Sequence, residues 1–167
     1  MRHDTGGVPG ARIGHGHLKV ADLERAIAFY RDVIGMREVQ RYGKGAAFLA
    51  FDDYHHHLGL NTWESLGATP PPEGHTGLYH VAFLYPDRVT LGQAIDRVHQ
   101  AGLQLTGAAD HLVSEAVYLD DPDGNGVELY RDRPQADWPY GPDGNLRMAN
   151  APLDVDALIA EGRAGLS

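Results

Sequence analysis

No cysteine occurs among the 167 residues, so disulfides, iron–sulfur ligation and thiolate catalysis are all excluded. No apolar stretch approaches the roughly 20 residues that a membrane-spanning helix needs. The segment from Met1 to Arg12 has no apolar core of its own and does not resemble a signal peptide. Basic residues are few: 14 Lys and Arg against 23 Asp and Glu leave a formal charge of −9. A nucleic-acid partner would call for a basic face, so none is expected, and neither is a membrane. A cytoplasmic location is the default reading. What remains is an ordinary apolar fraction, 43%, in a chain long enough for one compact domain or two small halves sharing a core.

Histidine is abundant, with ten residues, and two of them mark a repeat. The first copy reads His15-Gly-His-Leu-Lys-Val-Ala-Asp22, followed by an amphipathic run that stops at Gly35. The second reads His80-Val-Ala-Phe-Leu-Tyr-Pro-Asp87, followed by another that stops at Gly102. His and Asp are seven residues apart in both. Two half-domains that each carry an imidazole at the same strand position bring those imidazoles together when they pack about a pseudo-two-fold. With Glu128, near the end of the second copy, this makes two histidines and one carboxylate, the ligand set of non-haem Fe(II) oxygenases.

The chain divides accordingly. Residues 1–12 read as a flexible lead. Ile13 to Val20 reads as a strand, with Asp22 as a helix N-cap. Leu23, Ala26, Ile27, Tyr30, Val33 and Ile34 then recur at helical spacing. Strand-like pieces follow at Arg37–Tyr42, Ala46–Asp52 and His56–Thr62, and Thr69-Pro-Pro-Pro72-Glu-Gly74 is a linker. The second half repeats the order. Leu78–Tyr85 is a strand, Thr90-Leu-Gly-Gln93 is a capping box for a helix, and strands fit Leu103–Gly107, Glu115–Asp120 and Val127–Arg131. Neither half closes a core alone, since its sheet would leave one face bare. Residues 134–167 form a C-terminal extension with a short acidic helix candidate around Asp154–Glu161 and a possible role as dimer contact or pocket lid.

Two of the three ligand candidates have an alternative. His17 rivals His15, because alternate residues of a strand share a face; the seven-residue step to Asp22 favours His15. His80 has no such rival. Glu128 lies between Val127 and Leu129, where a lone carboxylate is costly to bury unless something positive pairs with it; the alternative is an edge-strand glutamate facing solvent. Asp121-Pro-Asp123-Gly-Asn125-Gly126 almost fits a calcium-binding EF-hand loop. Ala116–Leu119 before it reads as a strand, so a tight hairpin turn is the better reading.

The elements His15…Asp22-Leu23…Phe29-Tyr30…Gly35, His80 and Asp121-Pro-Asp-Gly-Asn-Gly-Val-Glu128-Leu-Tyr130 resemble the vicinal oxygen chelate superfamily, which groups glyoxalase I, extradiol dioxygenases and bleomycin and fosfomycin resistance proteins. The likeness covers residues 13–133 and is nearest to small catechol 2,3-dioxygenase-like proteins. It implies an α+β fold in which two βαβββ repeats, 13–62 and 78–131, form a cupped mixed sheet around a metal site. It implies His15, His80 and Glu128 as ligands to Fe(II), or to Mn(II), which uses the same set. The implied substrates are a small aromatic diol and O2, and small members of the family often pair as homodimers. In extradiol enzymes a tyrosine lies ten residues before the glutamate ligand, the position of Tyr118. A histidine upstream of that tyrosine binds the substrate oxygen. His111 is its counterpart, although it stands seven residues before the tyrosine rather than nine. The acid–base histidine would come from Tyr54-His55-His56-His57; His56 alternates with Leu58 and Leu60 and is the choice, with His55 and His57 as rivals. Glyoxalase I generally uses a fourth protein ligand, often a second carboxylate, and the matching first-half strand reads Leu58-Gly-Leu60. Other metal-dependent isomerases, lyases or thiol transferases, and a non-catalytic binder of a small molecule or antibiotic, are the competing readings.

Overall fold

Two aspartates set the pattern of the fold, because each follows a strand closely and caps the next helix. Asp22 accepts a hydrogen bond from Arg25 N–H, and Asp87 accepts one from Thr90 N–H, so each satisfies an otherwise orphaned amide of a first helical turn. The computed structural model describes residues 8–166; of the lead read over 1–12, residues 1–7 lie outside them. The first half runs β1 (Gly16–Lys19), α1 (Leu23–Ala28) with a π-helical turn (Phe29–Val33), β2 (Arg37–Tyr42), β3 (Ala46–Ala50) and β4 (Leu58–Asn61). The second runs β5 (His80–Leu84), α2 (Arg88–Gln100), β6 (Gly107–Asp110), β7 (Ser114–Asp120) and β8 (Gly126–Asp132).

Strand order is β1-β4-β3-β2 in one sheet and β5-β8-β7-β6 in the other. In each, the first two strands pair in parallel and the others antiparallel. The fold is α+β, built of two βαβββ units. Its strands form two separate four-stranded mixed sheets rather than one continuous cup.

Several element ends differ from the sequence reading. The capping box of α2 is Asp87 with Thr90, one turn earlier than Thr90 with Gln93, because Asp87 is itself a strong cap three residues ahead of a threonine. Leu103 and Leu105 are not in a strand; they pack against the core from a loop, and β6 begins only at Gly107. Burial there imitates the alternation of a strand. β1 starts at Gly16 and β4 at Leu58, so His15 and His56 both stand just outside the ladders.

The helices cover the sheets around one core that includes Ile27, Leu49, Leu60, Ile95, Leu119 and Leu129. Tyrosines tie the halves together. Tyr30, fully buried in the first half, donates its hydroxyl to Asp121 Oδ2 (2.8 Å) in the β7–β8 turn of the second. Tyr85 of the second half donates to the Ile34 carbonyl of the first (2.7 Å). Asp121 also accepts the amides of Asp123 and Asn125, both at 2.9 Å. The acidic Asp121–Asn125 run is thus a hairpin turn pinned from across the molecule.

Beyond β8 the chain returns along the free edge of β6, where Asp110 and Ala151 exchange both backbone hydrogen bonds at 2.9 Å. It ends in α3 (Val155–Ala164), which lies against α2. Their contact is backbone on backbone: a Cβ at Gly92 would sit 2.0 Å from the Leu158 carbonyl oxygen, and one at Gly162 would sit 2.5 Å from Gln93 N. Only glycine permits that approach. No helix among the described residues is long and apolar enough to cross a membrane.

Candidate metal centre and pocket

The sheet registers bring the two halves onto one numbering. Val20 N–H donates to the Asn61 carbonyl (2.8 Å) at the end of β1, and Tyr85 N–H donates to the Tyr130 carbonyl (2.7 Å) at the end of β5. Counting back from these matched ends, Lys19 pairs with Asn61 as Leu84 pairs with Tyr130, and His17 pairs with Gly59 as Ala82 pairs with Glu128. His15 therefore takes the place of His80, and Gly59 the place of Glu128. On the adjoining strands Phe48 pairs with Gly59 as Tyr118 pairs with Glu128.

In the second half the polar residues meet. His80 Nε2 lies 3.0 Å from Glu128 Oε2, and the glutamate side chain is only 12% exposed. The other ring nitrogen, His80 Nδ1, is buried and has no hydrogen-bond partner among the described residues. Two donors on one divalent ion at about 2.1 Å each, set at right angles, are about 3 Å apart, so this spacing suits a shared ion. An imidazole nitrogen with a carboxylate oxygen is also the right donor chemistry for iron or manganese.

Beside this pair, the His80 and Tyr118 rings have centroids 5.8 Å apart, and Tyr118 OH lies 2.8 Å from His111 Nε2. His111 Nδ1 lies 3.0 Å from the Ala149 carbonyl, an acceptor only. The neutral ring must therefore carry its proton on Nδ1, leaving Nε2 to accept from the tyrosine. Burial, followed by the charge of Glu128, pushes the Tyr118 phenol above its ordinary pKa and keeps it protonated. His80, His111 and Tyr118 line an open groove of about 670 Å³ whose wall includes Tyr79 and Asn150. Four of the six residues singled out from the sequence are thus in one place.

The other two are together elsewhere. His15 packs against His56, with ring centroids 4.4 Å apart, and neither lines the groove. No three His, Asp or Glu side chains come together as a metal-binding group among the described residues, so His15 does not join His80 and Glu128. His56 sits in a loop of three histidines, with His55 Nδ1 2.7 Å from His56 Nδ1. Burial, and then the neighbouring His15 and His55, lower its pKa. His17 turns instead to Asn61 Nδ2 (3.0 Å) and lies over Gly59. The Ala149 carbonyl and Asn150 were missed from the sequence, since a backbone group in an irregular tail carries no signal there.

A family model described as the Glyoxalase/Bleomycin resistance protein/Dioxygenase superfamily matches residues 12–129. The chain is 39% identical over 149 residues to a catechol-2,3-dioxygenase of Bacillus subtilis (strain 168), covering 89% of this chain and 51% of that protein. It is 33% identical over 124 residues to biphenyl-2,3-diol 1,2-dioxygenase 3 of Rhodococcus globerulus, covering 72% and 63%. It thus spans between about half and just under two thirds of the length of these curated relatives. Among solved structures, a glyoxalase/dioxygenase from Nostoc punctiforme superposes with a TM-score of 0.64 at 22% identity, covering 76% of this chain and 96% of that one, which bears on the fold. With two βαβββ units, a matching family model over most of the chain and a 39% identical relative, this chain belongs to the glyoxalase/bleomycin resistance/dioxygenase superfamily.

Proposed function

We infer that the protein is an Fe(II)-dependent extradiol dioxygenase that opens the ring of catechol or a small substituted catechol with O2. The observation that carries this reading is the His80–Glu128 pair beside the hydrogen-bonded His111–Tyr118 pair. It joins metal-type donors to proton-handling groups on one groove. The 39% identity to a catechol-2,3-dioxygenase supports it. His80 and Glu128 would hold the ion; His15, at the equivalent register position of the first half, would have to leave its contact with His56 to join them as third ligand. Manganese would use the same donors. Bound Fe(II) would supply the one-electron chemistry that lets a catechol react with O2, which the side chains cannot provide.

The chain's own residues account for the rest. Tyr118 and His111 form a donor–acceptor couple that can bind a substrate hydroxyl and take up charge developing on its oxygen. His111, protonated on Nδ1 and basic at Nε2, can pass a proton along that couple. His56, with its lowered pKa, is neutral near pH 7, and it would act as the acid–base group only by moving with His15 toward the His80–Glu128 pair. A glyoxalase-type reaction fits less well, because Gly59 offers no donor where the register would put a second carboxylate.

The test is anaerobic loading with Fe(II), then addition of catechol and O2, with oxygen uptake and the yellow ring-opened semialdehyde as readouts. Turnover dependent on iron is the expected result. Iron-loaded protein that consumes no oxygen with any simple catechol would overturn the reading.

A further inference from the structure

His111 is held by more bonds than a surface histidine needs. It occupies the β6–β7 turn, and the next residue, Leu112, has φ of +69°, a conformation that L side chains rarely adopt. The turn keeps that shape because it is tied on three sides. Asp110 Oδ1 accepts the Leu112 N–H at 2.8 Å. Asp110 Oδ2 takes the Arg133 guanidinium at 2.6 Å, and Arg133 N–H in turn donates to the Val113 carbonyl at 2.8 Å. From the other side come residues 149–151 of the C-terminal extension. Ala151 exchanges two backbone bonds with Asp110, Ala149 N–H donates to the His111 carbonyl (3.3 Å), and the Ala149 carbonyl faces His111 Nδ1. Every member of this set fixes either the backbone of the turn or the proton on the ring. Its output is the 2.8 Å contact between Nε2 and Tyr118 OH.

We propose that Asp110, Arg133 and the backbone of residues 149–151 form a positioning device that locks His111 as the Nδ1–H tautomer and aims its Nε2 at Tyr118. Asp110 and Arg133 are positioning residues, acting through His111. The C-terminal extension is then a working part of the groove, which Asn150 also lines, rather than a peripheral tail. A free imidazole exchanges between tautomers; one with a fixed acceptor at Nδ1 does not, and its Nε2 is always available to the phenol. The functional importance of the device rests on the proposed role of His111 and Tyr118, but its existence does not.

The test therefore reads the tautomer directly, by two-bond nitrogen–proton correlation of the histidine rings in the full-length metal-free protein at pH 7.5, with His111→Gln identifying the signal. Wild type should show His111 with a protonated Nδ1 and a bare Nε2. Ala151→Pro, which removes the N–H donated to Asp110, and Asp110→Ala should convert it to a mixed or Nε2–H signal. Asp110→Asn, which still offers an oxygen to Leu112 but loses the ion pair with Arg133, should keep more of the wild-type signal than Asp110→Ala. In the iron-loaded enzyme, Ala151→Pro and Asp110→Ala should lower kcat roughly 10- to 100-fold, as loss of outer hydrogen-bond partners does, with iron content unchanged. An Nε2–H ring in wild type, or a tautomer unmoved in folded Ala151→Pro and Asp110→Ala, would overturn the proposal; should both variants unfold, the wild-type spectrum alone decides. A locked tautomer in a protein that consumes no oxygen would leave the device standing and remove the dioxygenase reading instead.

Discussion

The two halves share strand order, caps and register, yet polar chemistry is concentrated in one. Where the second half places Glu128 opposite Tyr118, the first places Gly59 opposite Phe48. The cause is steric as well as chemical. His17 lays its ring over Gly59, so that a Cβ there would come within 2.8 Å of it. The first half thus cannot carry a matching carboxylate while His17 stays where it is. It offers instead imidazoles, His15 and His56, in contact with each other. On the proposed reading, a duplicated scaffold has kept its backbone rules and divided its labour: the second half would supply the carboxylate and the phenol, the first only imidazoles.

This contrast can be broken or sharpened by substitution. The largest effect should come from Glu128→Gln, which turns the proposed charged ligand neutral. Fe(II) affinity should fall about 100-fold or more, since even outer partners of metal ligands are worth about 10–100-fold; iron content after dialysis reports it. Next is Gly59→Glu, an attempt to give the first half the missing carboxylate. Overpacking against the His17 ring should lower unfolding stability by about 1–3 kcal/mol, seen in chemical denaturation and relieved when His17→Ala is added. A stable single variant would refute the steric account. Tyr30→Phe should cost about 1–2 kcal/mol, because it takes a buried charged acceptor's hydrogen bond while Asp121 keeps its other donors. The mirrored Tyr85→Phe, which loses a bond to a neutral carbonyl, should cost less in the same titration. Smallest is Glu64→Gln, which removes a solvent-exposed partner of Lys19 at 3.6 Å. Exposed pairs are worth about 0–1 kcal/mol, so the denaturation midpoint should barely move.

Much of this was legible in the residues. The seven-residue step from His to Asp marks the strand-to-helix passage of each half, because an aspartate that caps a helix must stand where the strand ends. The Asp121–Asn125 turn was legible too, since its glycines and side-chain acceptors suit a hairpin. Less legible were strand ends. Leu103 and Leu105 alternate like a strand but are buried from a loop, and period alone does not separate the two. His56 alternates with Leu58 and Leu60, yet the ladder begins after it. The pairing of His15 with His56, rather than with His80 and Glu128, depends on how a loop and a strand end approach in space. The tail's grip on His111 uses main-chain atoms, which no residue letter encodes.

The measurement closest to the centre of this account is anaerobic Fe(II) titration of the wild type beside His15→Ala and His17→Ala. Both histidines lie at the same strand edge, but only His15 holds the register position of His80. One tightly held iron per chain in wild type and in His17→Ala, with affinity lost in His15→Ala, is the predicted result. Equal affinity in wild type and His15→Ala would contradict it, and would leave the second half holding its ion without the first.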